Sequence, residues 1–398
     1  MNEKRSFHTR SALQLVLGAL TFLTALLLAG LFVNALRAES ALSQPAAHLA
    51  WLAGLGALAT VPPMLLAIRR LAGKAMPAGG FHIPARWAVW LMAAFPLVLL
   101  AGYLLANTPL AGALLAPLGL LALGLPSAAA YATLARGLKA ESAQRGWGVL
   151  SFGYGPGLLT TILIEMLFIL AGVVALAVVI SLSPQALEQL MALAQSVSDP
   201  ASLDMNALLR QAEDWLRMPA VQALALLFVG LLMPLVEEVF KLLAVWGVLR
   251  KGLTARAGFL LGMLSGVVFG FVESGVAISQ FFTPADWAAG TGLRAATAIL
   301  HLMLSALAGY GLGAAVEQKS AKPFLKMLLF SVGLHGAWNA AAVLQAFSEL
   351  GSGGLAAVGV SVMSILVMAA AWGLLFKRAL DVSAQLRKEQ ESETPPAE

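Results

Sequence analysis

The sequence predicts an all-α protein, a polytopic bundle of transmembrane helices. Hydrophobic residues make up 60% of the chain and charged residues only 11%, and the mean hydropathy is +0.84. Apolar stretches of roughly 20 residues, the length that a helix needs to cross the hydrocarbon core, recur along most of the chain. A transmembrane barrel would instead show shorter segments in which apolar and polar residues alternate. We therefore expect a multi-pass protein of the cell membrane.

Ten spans are predicted. They cover residues 11–35, 46–68, 87–106, 109–135, 148–182, 218–249, 257–282, 295–316, 325–347 and 355–376. Several are longer than the minimum, and tilt or an extension into the interface would absorb the excess. The first span follows a basic start, as in a cleaved signal peptide, but its apolar run is longer than a usual signal and more spans follow. We therefore expect a retained first helix.

The spans and loops divide the chain into four regions. Residues 1–182 form an accessory N-terminal membrane region of about five spans, and residues 218–376 form the membrane region that holds the candidate catalytic site. Between them, residues 183–217 have apolar positions at helical spacing, which predicts two amphipathic helices on the outer leaflet. These helices could be a surface connector, a lid or a docking element. The polar, charged segment 377–398 is expected to be a disordered cytoplasmic tail.

Leu231–Leu249 reads LLMPLVEEVFKLLAVWGVL and carries three ionisable groups inside one span. Glu237 and Lys241 are four residues apart and Glu238 and Lys241 three, so either carboxylate can meet the ammonium on one helix face. Each charge at the centre of a transmembrane helix costs ~2.5–3.5 kcal/mol on insertion scales. Such groups persist where they pair or take part in function. An ion pair that locks helices together remains open as the purely structural explanation.

Three later spans carry polar groups at a similar depth. Glu273 lies in FGFVES and His301 in AILHLML, while GLHGAWNAA places His335 and Asn339 on one helix face. At ~1.5 Å per residue, Glu237 lies ~18 Å and Glu273 ~24 Å from the cytoplasmic side. His335 comes out at ~15 Å and His301 at ~21 Å. Carboxylates, imidazoles and an amide at one level predict a single polar cavity and a functional site.

These residue types suit peptide hydrolysis. The reaction needs an activated water, a proton donor and a partner for the oxyanion. A glutamate can be the base, and two histidines with a carboxylate can hold zinc while leaving a position open for water. Without a metal, the histidines and Asn339 could stabilise the oxyanion instead. Lys241 would tune the glutamate pair through its charge.

Other classes of intramembrane protease lack their signatures in this chain. There is no H-E-x-x-H motif, which excludes a zincin-type helix. The stretch Gly262–Gly266, GMLSG, has the wrong spacing for a rhomboid-like serine enzyme, and every aspartate falls in a predicted loop or tail. The chain has no cysteine, so thiolate metal sites and cysteine nucleophiles are excluded as well.

The polar motifs, taken in order, resemble those of the PrsW family of intramembrane metalloproteases, which is related to the CAAX-type prenyl proteases and the bacteriocin-processing enzymes. The resemblance covers roughly residues 218–345. Its motifs are E-E-x-x-K (Glu237, Glu238, Lys241), F-x-x-x-E (Phe269, Glu273), an isolated intramembrane histidine (His301) and H-x-x-x-N (His335, Asn339). The CAAX branch has arginine where this chain has Leu242 and histidine where it has Glu273, so both differences favour the PrsW branch.

The resemblance implies roles for these residues. The implied catalytic residues are Glu237, Glu238, Glu273 and Asn339; the implied metal ligands are His301, His335 and Glu238; Lys241 and Phe269 are supporting residues. The implied cofactor is a divalent metal, with zinc as the candidate. The implied partners are the lipid bilayer and a membrane-anchored protein substrate such as an anti-sigma factor, with no nucleic acid.

Two other functions stay open on the sequence alone. A proton- or cation-coupled transporter would use the same acids as a relay, but it would usually show broken helices in two related halves. In this chain nearly all the intramembrane charges lie in one half. A non-catalytic membrane scaffold, in which ion pairs fix helix packing, is the second alternative.

The distribution of positive charge predicts the orientation. With a cytoplasmic N-terminus, 20 of the 25 Lys and Arg residues lie on the cytoplasmic side, four lie outside and Lys241 lies in the membrane. Cytoplasmic loops carry the excess of positive residues. We therefore expect both termini and the 250–256 loop in the cytoplasm and residues 183–217 outside. Reporter fusions at these positions test this, and a cytoplasmic signal from 183–217 would overturn it.

Overall fold

The computed structural model describes residues 2–36, 43–77, 80–182, 213–248, 252–281, 283–349 and 354–393, with isolated positions between 183 and 212. Within these residues the protein consists of helices and contains no strand. Ten of the described helical segments are long and apolar enough to cross a membrane. The all-α class and the ten predicted spans are therefore confirmed, whereas the orientation of the termini stays a prediction.

The described helices are numbered in chain order. They are α1 (Asn2–Leu36), α2 (Ser43–Leu71), α3 (Ala88–Leu105), α4 (Ala111–Leu134), α5 (Ala143–Phe152), α6 (Leu158–Ser181), α7 (Pro219–Leu227), α8 (Met233–Lys241), α9 (Leu243–Val248), α10 (Ala255–Ile278), α11 (Pro284–Glu317), α12 (Lys322–Glu349) and α13 (Leu355–Glu393). Two π-helical turns interrupt spans, with Gly153–Gly157 between α5 and α6 and Phe228–Leu232 between α7 and α8.

The chain forms two compact units. The first contains Met1–Thr160, Val239–Leu328 and Leu375–Glu398, and the second contains Thr161–Glu238 and Leu329–Leu374. The boundary between the units falls within α8, after residue 238. Glu237 and Glu238 therefore belong to the second unit and Lys241 to the first.

The first unit is built around direct backbone contact between α10 and α11. Glycine occupies every fourth position of α10 at Gly258, Gly262, Gly266 and Gly270. A Cβ at Gly266 would collide with the carbonyl oxygen of His301. Small residues at this spacing let the backbones of transmembrane helices approach closely. Such van der Waals packing stabilises helix pairs in lipid, where the hydrophobic effect does not drive association. The glycine stripe therefore holds the His301 backbone against α10.

The apolar core of the first unit lies where α2, α4, α10 and α11 meet. Its buried members include Leu52, Leu115, Leu120, Leu123, Ile278 and Trp287. Trp287 lies in the first turn of α11. The N-cap of this helix is Thr283, whose Oγ1 accepts a hydrogen bond of 3.1 Å from the backbone N–H of Asp286. The cap and the buried indole together fix the start of the helix that carries His301.

The C-terminal helix corrects the prediction of a disordered tail over residues 377–398. Helix α13 continues to Glu393, and residues 394–398 lie outside the described part. Ser383 Oγ donates a hydrogen bond of 2.6 Å to the backbone carbonyl of Leu134. Although this segment is polar overall, it has apolar residues at helical spacing, and Ala379, Val382 and Leu386 are buried. This face docks the end of α13 in the first unit.

The predicted amphipathic helices of residues 183–217 fall mainly outside the described residues. At the end of this segment, Arg217 and Glu213 form an exposed ion pair of 3.1 Å one helical turn apart. The placement of the two helices on the outer leaflet therefore stays a prediction.

Enlarging Gly266 tests the contact between α10 and α11. We expect Gly266→Ala to lower the stability by about 1–3 kcal/mol, because the added methyl group forces two tightly packed backbones apart. The measurement is the thermal unfolding midpoint of the protein in detergent. Gly359→Ala is the matched control, because a Cβ there meets no atom within 4 Å. It should keep or raise the midpoint, since alanine favours a helix by about 1 kcal/mol over glycine. Equal losses in both variants would contradict the packing argument.

Candidate active site

The predicted site residues form two groups of contacting side chains, one within each unit. In the second unit, the His335 group contains Glu237, Glu238 and His335, with Asn339 one helical turn further along α12. In the first unit, the His301 row contains Lys241, His301, Glu273 and Arg294, with Phe269 beside it. Helix α8 contributes to both groups. The expectation that all of these residues line a single cavity stays a prediction.

The His335 group places one imidazole between two carboxylates. Its Nδ1 lies 3.0 Å from Glu238 Oε1, and its Nε2 lies 3.7 Å from Glu237 Oε2. A carboxylate accepts hydrogen bonds, so Nδ1 carries the hydrogen and donates it to Glu238. In a neutral imidazole the lone pair then lies on Nε2, on the side of Glu237. All three side chains are buried.

A π-helical turn and a pair of glycines position the His335 group. Asn339 Nδ2 donates a hydrogen bond of 3.2 Å to the carbonyl of Val229, within the turn Phe228–Leu232 that leads into α8. A Cβ at Gly336 would collide with the carbonyl oxygen of Gly230. Such single π turns inside helices often occur at functional sites. The two contacts fix α12 against the turn from which the glutamate pair follows.

The His301 row joins an ammonium, a neutral imidazole, a carboxylate and a guanidinium in that order. Lys241 Nζ lies 2.7 Å from His301 Nδ1, and His301 Nε2 lies 2.7 Å from Glu273 Oε2. The other oxygen of Glu273 accepts a hydrogen bond of 2.6 Å from Arg294 Nη2. An ammonium only donates, so His301 accepts at Nδ1 and carries its hydrogen on Nε2, which faces Glu273. The row thus defines the tautomer of the imidazole.

Aromatic and backbone contacts hold Lys241 in this row. Its Nζ lies 4.2 Å from the centroid of the Phe269 ring, a cation–π distance, and the Phe269 and His301 rings are 5.4 Å apart. Ser265 Oγ donates a hydrogen bond of 2.6 Å to the Lys241 carbonyl. The sequence predicted the partners of Lys241 among the glutamates of its own helix. The contact with His301 on α11 was not predicted.

Arg294 is the member of the His301 row that the sequence analysis did not select. The positive-charge count placed it outside, yet its guanidinium binds Glu273. Ser274 Oγ also donates a hydrogen bond of 3.1 Å to the Arg294 carbonyl. The available signal was the spacing of seven residues between Arg294 and His301, which puts both on one face of α11.

The donor set fits a divalent metal. Each histidine has one ring nitrogen within 3.0 Å of a carboxylate oxygen, Glu238 for His335 and Glu273 for His301, and in the tautomers assigned above its other nitrogen keeps a lone pair. Metal-ligating histidines almost always have such a carboxylate or carbonyl partner, which fixes the tautomer and the ring orientation. Imidazole and carboxylate ligands are typical of zinc sites. The separation of 3.7 Å between His335 Nε2 and Glu237 Oε2 is within the span of two ligands at ~2.0–2.2 Å from one ion.

Fold and side chains together define a polytopic membrane protein with carboxylates and imidazoles inside its spans. A family model described as PrsW family intramembrane metalloprotease matches residues 160–372. The chain belongs to this family. It is therefore an intramembrane protease of the hydrolase class, a multi-pass membrane protein that acts on membrane proteins. No curated protein and no solved structure matches the chain.

The family match is wider than the motifs suggested. It begins at residue 160 and ends at 372, whereas the resemblance read from the motifs covered roughly 218–345. It includes α6, which the sequence analysis placed in the accessory region. The transporter and the scaffold, the two alternatives that the sequence left open, do not agree with this family assignment.

A double-mutant cycle on Glu273 and Arg294 tests the His301 row. We expect a coupling free energy of about 1.5–3 kcal/mol between Glu273→Gln and Arg294→Met, because this charged hydrogen bond lies partly buried in a span. The control is the cycle on Lys377 and Asp381, an exposed pair at 3.0 Å, where about 0.5 kcal/mol or less is expected. Thermal stability in detergent provides both values. Equal coupling in the two cycles would show that the row is no stronger than a surface pair.

Proposed function

We propose that the chain hydrolyses peptide bonds of membrane-anchored proteins with a glutamate-activated water and the assistance of a divalent metal. The observation that carries this proposal is the His335 group, in which one imidazole has a carboxylate on each of its two nitrogens. The family assignment gives the reaction class, and the buried carboxylates and imidazoles give it acid–base and ligand groups.

Glu237 is the proposed general base. The Glu237 side chain is 10% exposed, whereas that of Glu238 is 0% exposed and contacts His335 Nδ1. A base must reach the water that it activates, so the more accessible carboxylate suits this role. Glu237 would take the proton from the attacking water and return it to the leaving amine. Glu238 would keep His335 in the tautomer with its lone pair on Nε2.

His301 and His335 are the proposed metal ligands, with zinc as the proposed ion. Glu238, which the sequence analysis placed among the ligands, is proposed instead to orient His335 through Nδ1. When bound, such a metal lowers the pKa of a coordinated water and polarises the scissile carbonyl. Glu273 supports the site by orienting the His301 ring through Nε2, and Arg294 holds Glu273 in turn. Asn339 supports it by holding the π turn before α8.

The proposed substrates are membrane-anchored regulatory proteins, of which anti-sigma factors are the example that the family resemblance implies. The support from this chain is the location of the site residues. Glu237, Glu238, His301 and His335 are all buried within membrane-spanning helices. A peptide bond that reaches them must come from a segment that enters the bilayer.

Removing either glutamate charge tests the mechanism. We expect Glu237→Gln and Glu238→Gln each to reduce cleavage of a single-span membrane substrate by about 100-fold or more, because the amide keeps the shape but cannot act as a base or a charged partner. Lys241→Met should reduce cleavage less than either. The measurement is substrate cleavage in membranes, with expression and thermal stability followed in parallel.

Glu317→Gln is the matched control, because Glu317 is exposed at the end of α11 and the change in charge is the same. It should cleave like the unmodified chain. Full activity in both glutamate variants would exclude catalysis by this pair. Loss of folding in both, with no separable loss of activity, would favour a structural ion pair.

A further inference from the structure

The ammonium of Lys241 lies at the nitrogen through which His301 would bind a metal. His301 Nε2 is 2.7 Å from Glu273 Oε2, and Arg294 holds the other oxygen of that carboxylate at 2.6 Å. Only Nδ1 then has a lone pair directed away from the carboxylate. Lys241 Nζ lies 2.7 Å from Nδ1.

The His301 ring cannot avoid Lys241 by turning over. Its side chain is fully buried, and the Phe269 ring packs on it at 5.4 Å. The backbone behind it is held by the glycine stripe, since a Cβ at Gly270 would lie 3.0 Å from His301 Cβ. Exchanging the two nitrogens would also remove the N–H from Glu273, so the orientation of the ring is fixed on both sides.

Lys241 is the movable partner in this contact. Its ammonium is a compact charge on a flexible stem of four carbons, whereas an imidazole is a rigid ring. A metal and an ammonium cannot share one lone pair, and two cations in a poorly solvated site repel each other strongly. Binding of a metal to His301 therefore requires Lys241 Nζ to leave Nδ1.

We propose that Lys241 is a resident cation, which holds His301 in its metal-binding tautomer and is displaced when the metal arrives. The inference rests on the proposed function, because it concerns the metal of the same site. In this role Lys241 keeps a positive charge beside His301 when no metal is bound. Its ammonium also competes with the metal for His301 Nδ1, so the affinity of the site for the metal is lower than the ligands alone would give. Lys241 is thus a positioning and regulatory residue and not a ligand.

Zinc binding to Lys241→Met tests the competition without any substrate. Methionine has a similar length and no charge, so Nδ1 no longer has a competing cation. We expect the variant to bind Zn²⁺ about tenfold more tightly than the unmodified chain in chelator-buffered titrations of detergent-purified protein. After chelation of all metal the variant should melt at a lower temperature than the unmodified chain, and Zn²⁺ should raise its midpoint by more.

Lys326→Met is the matched control, because Lys326 is exposed on α12 and the charge removed is the same. It should leave both the zinc affinity and the midpoint unchanged. If Lys241→Met does not fold, Lys241→Gln provides a second variant, which keeps a donor for Nδ1 without the charge. It too should bind Zn²⁺ more tightly.

Unchanged or weaker zinc binding in both Lys241 variants would overturn the proposal, as would the absence of zinc binding from every form of the chain. Failure of the proposed function has a different signature. A chain that shows the expected rise in zinc affinity, but cleaves no membrane substrate, would contradict the protease mechanism and leave the cation exchange standing.

Discussion

A charge placed inside a bilayer must find its partner within the protein, because no water is there to solvate it. The structure meets this constraint by joining opposite groups in rows. In the His301 row a lysine, an imidazole, a carboxylate and a guanidinium follow one another at 2.6–2.7 Å. In the His335 group one imidazole lies between two carboxylates. The same contacts that stabilise these charges also fix the tautomers on which the proposed metal binding depends.

The helical contacts of the first unit serve this arrangement. The glycines of α10 allow the backbones of α10 and α11 to touch, which brings the His301 ring to the level of Phe269 and Glu273. In the second unit, a π turn and the close approach of Gly230 and Gly336 position His335 in the same way. Tight packing of small residues thus determines where the large polar side chains lie.

Much of this was predictable from sequence. Long apolar runs predicted the ten spans, and the spacing of Glu237, Glu238, His335 and Asn339 predicted a polar site. The partners of these groups could not be predicted, because a contact between helices depends on how far each is rotated and shifted. Lys241 illustrates this, since helical spacing indicated Glu237 or Glu238 as its partner but could not indicate the contact with His301 on α11. The glycine stripe is visible in the sequence as glycine at every fourth position of α10, but the helix that packs against it is not.

The position of the last helix has a consequence for synthesis. Residues 375–393 of α13 belong to the first unit and dock beside Leu134 through Ser383. The first unit therefore combines segments before residue 161 with a segment after residue 374, which are far apart in the order of synthesis. It cannot be complete until residues as far as about Glu393 have been synthesised, after every residue of the His301 row. The order of synthesis thus delays completion of the first unit until α13 has been made.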